Sequence, residues 1–398
     1  MDSITLYTEE IDELSEAADE LFAQAESFSF KKNSMAIIFV EEETDYEGLY
    51  AILSGKWKFP IMGCTAMAMF HGDRGYCDVG ISVMLLTADD CEFSVGMTGE
   101  LTKDNYKSEI ASVYGRLKSA LDGKEKLVIT YGGMVTSEHN VGGDDLVNAI
   151  SAQGENVPVY GGSAADNFNS KNIKVFCGDR VTGSGLVMAL VAGNIHPRFV
   201  SINSIEKKGS YAYEVTRSDG NRVFRLGQDS FVGTLRRENM ATDKPDVFVD
   251  YLLTPFIVSI SKPNGDKVEA ARSLSVLNME DGSGSFLGAV PEGAVLNIGI
   301  VRREDVQKTV GKAMDEILSK MKETGQEYKT MLCTTCCARF LALGGNVSAE
   351  TDSFKGFIPP SISLMGMYSN GEYCPARGNV TGEEYNMFHN FTFSVLAF

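Results

Sequence analysis

The sequence predicts a mixed α/β protein, two mixed β-sheet domains with packed helices. Three observations carry this. Apolar runs of strand length alternate with segments of helical period in the first part of the chain. From Ile173 the pattern turns β-rich, with glycines and Ser-Asp-Gly-Asn turn chemistry between short apolar runs. A long helical stretch at Glu304–Glu323 then precedes further strands.

In chain order, Thr8–Gln24 reads as an amphipathic helix, because Ile11, Leu14, Ala18, Leu21 and Phe22 recur at helical spacing. Met35–Val40 is an apolar strand, Tyr46–Leu53 a helix, and Phe59–Gly63 a strand that stops at Gly63-Cys64-Thr65. Val79–Leu86 and Cys91–Met97 read as a pair of adjacent strands, Tyr106–Leu121 as a helix. Leu127–Tyr131 is a strand running into the loop Gly132-Gly133-Met134, followed by a helix at Asp144–Ala152 and a short strand at Val157–Tyr160. Strands are then expected at 175–177, 185–192, 199–205, 213–216 and 222–226, and a helix from Gln228 to Arg237. The polar stretch Glu238–Pro245 is the expected linker. Beyond it, strands at 256–260, 273–277, 295–300, 329–333, 362–367 and 391–398 close the chain. The two halves share a rough plan, but no internal repeat is legible.

Formal charge is −18, from 36 basic and 54 acidic residues, which disfavours nucleic acid and anionic membrane as partners. No apolar tract is long enough to span a bilayer, and the acidic N-terminus lacks the basic region of a signal peptide. Eight cysteines without a signal peptide predict a reducing cytoplasm and free thiols.

Four polar clusters are candidates for chemistry. Tyr160-Gly-Gly-Ser-Ala-Ala-Asp-Asn167 places Gly161 and Gly162 after a strand, where backbone can approach a ligand, and adds Ser163, Asp166 and Asn167 as hydrogen-bonding groups; the plain alternative is a tight turn. It is no phosphate loop, since neither GxxxxGK[ST] nor GxGxxG occurs. Cys333-Thr-Thr-Cys336-Cys337-Ala-Arg339 holds a C-x-x-C, but its spacing to Cys374 and His389 matches no standard zinc site, so the thiols are expected in a core or pocket wall. Arg339 needs an anionic partner, either an acid of the protein or a ligand carboxylate. Glu372, after Gly371, suits a ligand ammonium or an internal pair with Arg339. His389 and Asn390 precede an apolar run; His389 is a structural hydrogen-bonder or a haem ligand. His71, His139 and His196 show no triad spacing, and a Cys336–His389 nucleophile pair remains an alternative. No metal site or cofactor is expected.

The order of these features resembles the FIST sensory module, over Asn33 to Phe398. Its N-terminal part is marked by Ile61-Met-Gly-Cys-Thr65, Val157–Asn167, and Tyr213-Glu-Val-Thr216 followed by Asp219-Gly-Asn221. Its C-terminal part is marked by Val290-Pro-Glu-Gly293, Cys336–Arg339, Gly371-Glu372 and His389-Asn-Phe-Thr392. After Thr65 this chain is more apolar than the family. The resemblance implies a helical segment 1–32, an N-terminal domain 33–237 and a C-terminal domain 238–398. It implies a cytoplasmic, prokaryotic-type sensory protein, not an enzyme, that binds a small molecule such as an amino acid and signals through a separate partner protein. Gly161, Gly162, Ser163, Asp166, Asn167, Cys336, Arg339, Glu372, His389 and Asn390 become the expected ligand-binding residues. The alternatives are a haem-based gas sensor and a cysteine-dependent enzyme. Polar clusters in both halves suggest a ligand that bridges the halves and favours a closed arrangement.

Overall fold

The structure, a computed structural model, describes residues 1–133, 141–241, 251, 254–344, 346, 348–353 and 357–398. Met134, His139 and positions 242–245 of the expected linker lie outside the described residues.

The mixed α/β class holds, and among the described residues the strands form four sheets, laid out by a repeat. Three six-stranded sheets share one strand order. In each, an outer strand pairs with a return strand, then come two parallel strands, then a two-stranded hairpin. The first sheet runs Asp2–Thr8, Ile81–Ala88, Asn33–Val40, Ile61–Thr65, Val175–Cys177, Arg180–Thr182. The second runs Cys91–Met97, Leu186–Gly193, Glu125–Gly132, Val159–Ser163, Glu372–Arg377, Glu384–His389. The third runs Arg198–Asn203, Thr392–Ala397, Thr330–Cys336, Ser363–Ser369, Met69–His71, Gly75–Cys77. The central pair is parallel in all three, and every other pairing is antiparallel.

The hairpins are exchanged in a ring. Each unit makes its outer strand and parallel pair, gives its hairpin to a neighbouring sheet, and returns to its own. The hairpin 69–77 of the first unit joins the third sheet, 175–182 of the second joins the first, and 372–389 of the third joins the second. The expected bound at 237/238 runs through the second, third and fourth sheets, which draw strands from both sides of it, while the first sheet lies wholly before it. A hinge closing of two separate halves is opposed by the same exchange. The strands 81–88 and 91–97, expected side by side, belong to different sheets.

Local rules explain the elements. Strands of the parallel pairs and their return strands are buried along nearly their whole length, as Ile81–Ala88 shows, so they read as continuous apolar runs. The N-terminal segment differs from expectation: Asp2–Thr8 is a strand and the helix spans only Leu14–Gln24. Helix Tyr46–Lys56 is capped by Asp45, whose carboxylate accepts from Gly48 N at 3.1 Å. Helix Arg303–Thr324 ends on Gly325 at φ 67°, a left-handed cap that glycine adopts without strain. The inner faces of the three sheets share one core, in which Met35, Met84, Leu127, Tyr160, Met365 and Leu396 meet.

A fourth sheet is inserted in the third unit, between its outer strand and its long helix. It holds Lys267–Arg272, Phe256–Ser261, Val295–Val301, Ile205–Asp219, Arg222–Leu226, Ser283–Phe286 and Leu274–Asn278, with Asp229–Ser230 paired to Arg222–Leu226. Its own core is aromatic, with Phe231, Phe256 and Phe286 in mutual contact.

Candidate functional site

The parallel pairs end in register at Val40/Thr65, Gly132/Ser163 and Cys336/Ser369. These carboxyl ends converge. Ala165 N donates to Thr65 O at 3.0 Å, Asn370 N to Ser163 O at 3.0 Å, and Met67 N to Tyr368 O at 3.4 Å. Each bond joins a different pair of units, so the three strand ends form a closed ring, with a hydroxyl residue (Thr65, Ser163 or Ser369) at the end of each.

Within this ring the third unit supplies a buried acid. Glu372 accepts from Ser369 Oγ at 2.9 Å, from Thr392 Oγ1 at 2.6 Å and from Thr392 N at 3.2 Å. Burial pushes its carboxyl up to about 8, against the pull of those donors and of Arg339. Near neutrality Glu372 is therefore mostly protonated. Ser163 Oγ lies 2.9 Å from Tyr373 Oη, which ties the second unit to the same strand.

The structure brings Ser163, Cys336 and Glu372 to this ring and gives the other expected residues different tasks. Gly161, at φ 145°, lies against the neighbouring strand: a Cβ there would meet Thr130 O at 1.8 Å. Gly63 is its counterpart in the first unit, where a Cβ would meet Ile38 O at 1.7 Å. Gly162 pairs with Glu372 and with Tyr131 across the sheet. Asp166 is buried and accepts from the backbone N–H groups of Ser170, Lys171 and Asn172, which fixes the loop after the strand. Asn167 is on the exposed part of that loop, its N–H donating to Glu42.

Arg339 has its anion inside the protein, and it is neither Glu372 nor an open position for a carboxylate. Its Nε and Nη2 donate to Glu350 Oε1 at 2.9 and 2.6 Å, Nη1 to Ser204 Oγ at 3.2 Å, and Nη2 to Val306 O at 3.1 Å. Tyr368 Oη donates to the other oxygen of Glu350 at 3.1 Å. Arg339 and Glu350 are both buried, so the network is a satisfied internal ion pair.

Cys336 ends its strand and precedes the short helix Cys337–Ala342. Burial, with Glu372 nearby, pushes the thiols of Cys336 and Cys337 up, the reverse of what a thiolate nucleophile needs. His389 Nε2 lies 3.0 Å from Cys374 O, and burial together with Arg272 lowers its pKa to about 4, so the ring is neutral at physiological pH. That nitrogen is engaged by the protein, not presented as an axial ligand. Asn390 Oδ1 accepts from Ser273 N at 3.4 Å, while its buried Nδ2 has no partner.

His389 and Asn390 mark where the inserted sheet is fastened to the ring. Arg272, fully buried, donates to Phe388 O at 2.8 Å and Ala289 O at 3.0 Å, and its Nη2 reaches Asp144 at 3.0 and 3.3 Å. Asp144 lies in helix Gly143–Ser151, between the parallel strands of the second unit. Sequence reasoning missed Ser369, Thr392, Glu350, Arg272 and Asp144. The signal for Ser369 was its equivalence to Thr65 and Ser163, legible only once the repeat is seen.

Fold and site together define a module in which three repeated α/β units close around one ring of strand ends. The chain belongs to the FIST family, a sensory and signal-transduction module: the FIST N domain matches residues 34–229 and the FIST C domain residues 235–375. No curated protein sequence matches the chain. Among solved structures, it is similar to a chorismatase, at 9% identity over 94% of this chain and 95% of that chain, with a TM-score of 0.38. A cyanuric acid hydrolase from A. caulinodans matches at 9% identity over 57% of this chain and 83% of that one, TM-score 0.31. Another cyanuric acid hydrolase structure matches at 9% identity over 100% and 98%, TM-score 0.36. The expectation that the chain is not an enzyme is corrected by these matches, which are all enzymes. At such TM-scores they assign it neither activity nor substrate. Among the described residues no helix is long and apolar enough to cross a membrane.

Proposed function

We propose that this FIST module senses a small polar molecule, with amino acids among the candidates, at the ring of strand ends, and passes its occupancy to a separate partner protein in the cytoplasm. The convergence of three carboxyl strand ends carries the reading, because ligands of parallel α/β sheets sit beyond those ends. Ser163, Ser369 and a protonated Glu372 supply hydroxyl and carboxyl hydrogen-bonding groups there. This favours a ligand recognised by hydrogen bonds over one held by fixed charges, since Arg339 is already satisfied by Glu350. The inserted sheet is the route outward: Arg272 and Ser273 bond the 388–390 segment beside Glu372. Eight free cysteines among the described residues fit a reducing compartment.

A thermal-shift screen of amino acids and other small polar molecules tests the reading. A ligand at 100 times its Kd stabilises the fold by about 2.7 kcal/mol. The shift should vanish in Ser369→Ala/Glu372→Gln while the unliganded protein still melts cooperatively. A wild-type protein that responds to none of these molecules, or a hit indifferent to both substitutions, would overturn it.

A further inference from the structure

The return strands of the three units differ in what they turn toward the shared core. Those of the first and second units put Met84 and Leu86, and Val187, Ala189 and Val191, there. The third, Thr392–Ala397, turns Leu396 to the same core, while Phe393, Val395 and Ala397 cluster with Val310, Met314 and Ile317 of the long helix. By strand alternation Thr392 and Ser394 share the Leu396 face, and both are buried. Hydroxyls stand there in place of the apolar packing that the other two units keep, in the one unit that carries Glu372.

These hydroxyls form a chain. Thr392 Oγ1 lies 2.6 Å from Glu372 Oε2 and 3.3 Å from Ser394 Oγ. Ser394 Oγ lies 2.9 Å from the Oγ of Ser201, its cross-strand partner. Ser201 is half-buried, on Arg198–Asn203, the outermost strand of the third sheet. A hydroxyl both donates and accepts, so each of the three can take a proton from one neighbour and give its own to the next. The other side of the acid is a dead end among the described residues. Ser369 Oγ, 2.9 Å from Glu372 Oε1, otherwise reaches the carbonyl oxygens of Gly371 at 3.3 Å and Thr335 at 3.4 Å, which have no proton to pass on.

We propose that Thr392, Ser394 and Ser201 form a proton path from Glu372 to the edge of the third sheet, through which the buried acid gains and loses its proton without the ring opening. In deprotonation Glu372 gives its proton to Thr392 Oγ1, whose own hydroxyl proton passes to Ser394 Oγ. Ser394 passes its own to Ser201, and Ser201 its own to water or hydroxide at the edge. One proton leaves, the three hydroxyls rotate back, and a carboxylate remains that accepts from Ser369 Oγ, Thr392 Oγ1 and Thr392 N. The step from Thr392 to Ser394 is the longest, at 3.3 Å, and limits the rate. Around Glu372 stand Arg339 on the short helix, Cys336 and Cys337 beside it, Cys374 on the same strand and His389 across the hairpin. Burial pushes the three thiols up and lowers His389, and a guanidinium does not titrate, so these neighbours hold one charge state from about pH 6 to about pH 9. Occupancy of the ring and external pH then act on the same acid. That consequence rests on the sensing function proposed above; the path itself does not.

Rapid-mixing infrared spectroscopy of the intact protein tests it without any ligand. The readout is the carbonyl stretch of the protonated carboxyl that disappears in Glu372→Gln, followed after a jump from about pH 6 to about pH 9. Valine and threonine at position 394 have the same shape and differ by one hydroxyl. Ser394→Val should slow the loss of the band by about tenfold or more, and Ser394→Thr should keep a rate near that of wild type. Ser201→Ala should slow it as well. The pH midpoint of the band should stay in place in all three, since Glu372 keeps its bonds to Ser369 and Thr392. If Ser394→Val fails to fold, Ser201→Ala decides. A band lost at the wild-type rate in either variant, slowing that comes with a shifted midpoint, or a wild-type protein with no Glu372-dependent band at about pH 6 would overturn the proposal.

Discussion

Arg339 Nη2 lies 2.6 Å from Glu350 Oε1, and neither side chain reaches solvent. The pair joins the short helix after the cysteine cluster to the helix Ala349–Asp352 that follows it. Thr335, Ser204, Val306 and Tyr368 complete its hydrogen bonds. Removing one partner leaves a buried charge uncompensated, which costs about 3–5 kcal/mol. Arg339→Ala should therefore lower the urea midpoint sharply. Arg339→Met/Glu350→Leu should recover much of the loss, and a double mutant as weak as the single would contradict this account.

Glu372 gives the fold an alkaline dependence. Its carboxyl sits at about 8 in the folded chain, against the 4.5 of an ordinary glutamate. Between those values the folded state holds a proton that the unfolded state has released, so stability declines as pH rises from about 4.5 to about 8. Glu372→Gln should remove this decline and melt higher than wild type at pH 8.5 relative to pH 5. Parallel pH–stability curves for the two proteins would refute it.

Two buried histidines act on the acid side. Burial lowers both His71 and His389 to about 4, from 6.5. A depressed histidine is neutral when folded, so its contribution is lost as pH falls from about 6.5 through 4. His71 keeps its neutral ring against Ser82 Oγ at 2.8 Å, His389 against Cys374 O. His389→Gln should flatten the acid limb of the denaturation profile by about one proton, measured as the slope of stability against pH.

Gly161 and Gly63 are fixed by close approach to a neighbouring strand. A methyl group at either would press on backbone carbonyl oxygen, Thr130 O at 1.8 Å or Ile38 O at 1.7 Å. Gly161→Ala and Gly63→Ala should each abolish soluble expression or destabilise by several kcal/mol, about 3 or more. Gly55→Ala is the control: its Cβ meets nothing within 4 Å and it lies in helix Tyr46–Lys56, so stability should rise by about 0.5–1 kcal/mol.

Arg272 fastens the inserted sheet to the ring through Asp144. Arg272→Ala should raise amide exchange in strand Lys267–Arg272 and in helix Gly143–Ser151, while the first sheet, which touches neither residue, keeps its protection. Uniform exchange changes across all sheets would mean that the pair holds the whole fold and not one junction.

Element type was legible where one rule acted alone. The helices at 46–56, 106–119 and 303–324 follow apolar spacing. The buried strands 35–40, 127–131 and 391–398 were found as apolar runs, because strands covered on both faces carry little polar alternation. The N-terminal strand 2–8 was missed, since its mixed residues blend into the amphipathic helix that follows.

The candidate site divides in the same way. The sequence marked Ser163 and Glu372, polar residues beside glycines, and marked Arg339 as a cation in need of an anion. It did not show that the anion is Glu350, because a local pattern records the need for a partner and not its identity. By itself the sequence determined an α/β chain of the FIST family, its net acidic charge, the long buried strands and most of its helices, since these rest on periodicity and composition over a few neighbouring residues. Only the tertiary structure decided that the chain is three repeated units with exchanged hairpins, and that Thr65, Ser163 and Ser369 meet at one ring. The repeat lies in how strands pair over long separations, and pairing is set by packing and main-chain hydrogen bonds that many different side chains satisfy equally well.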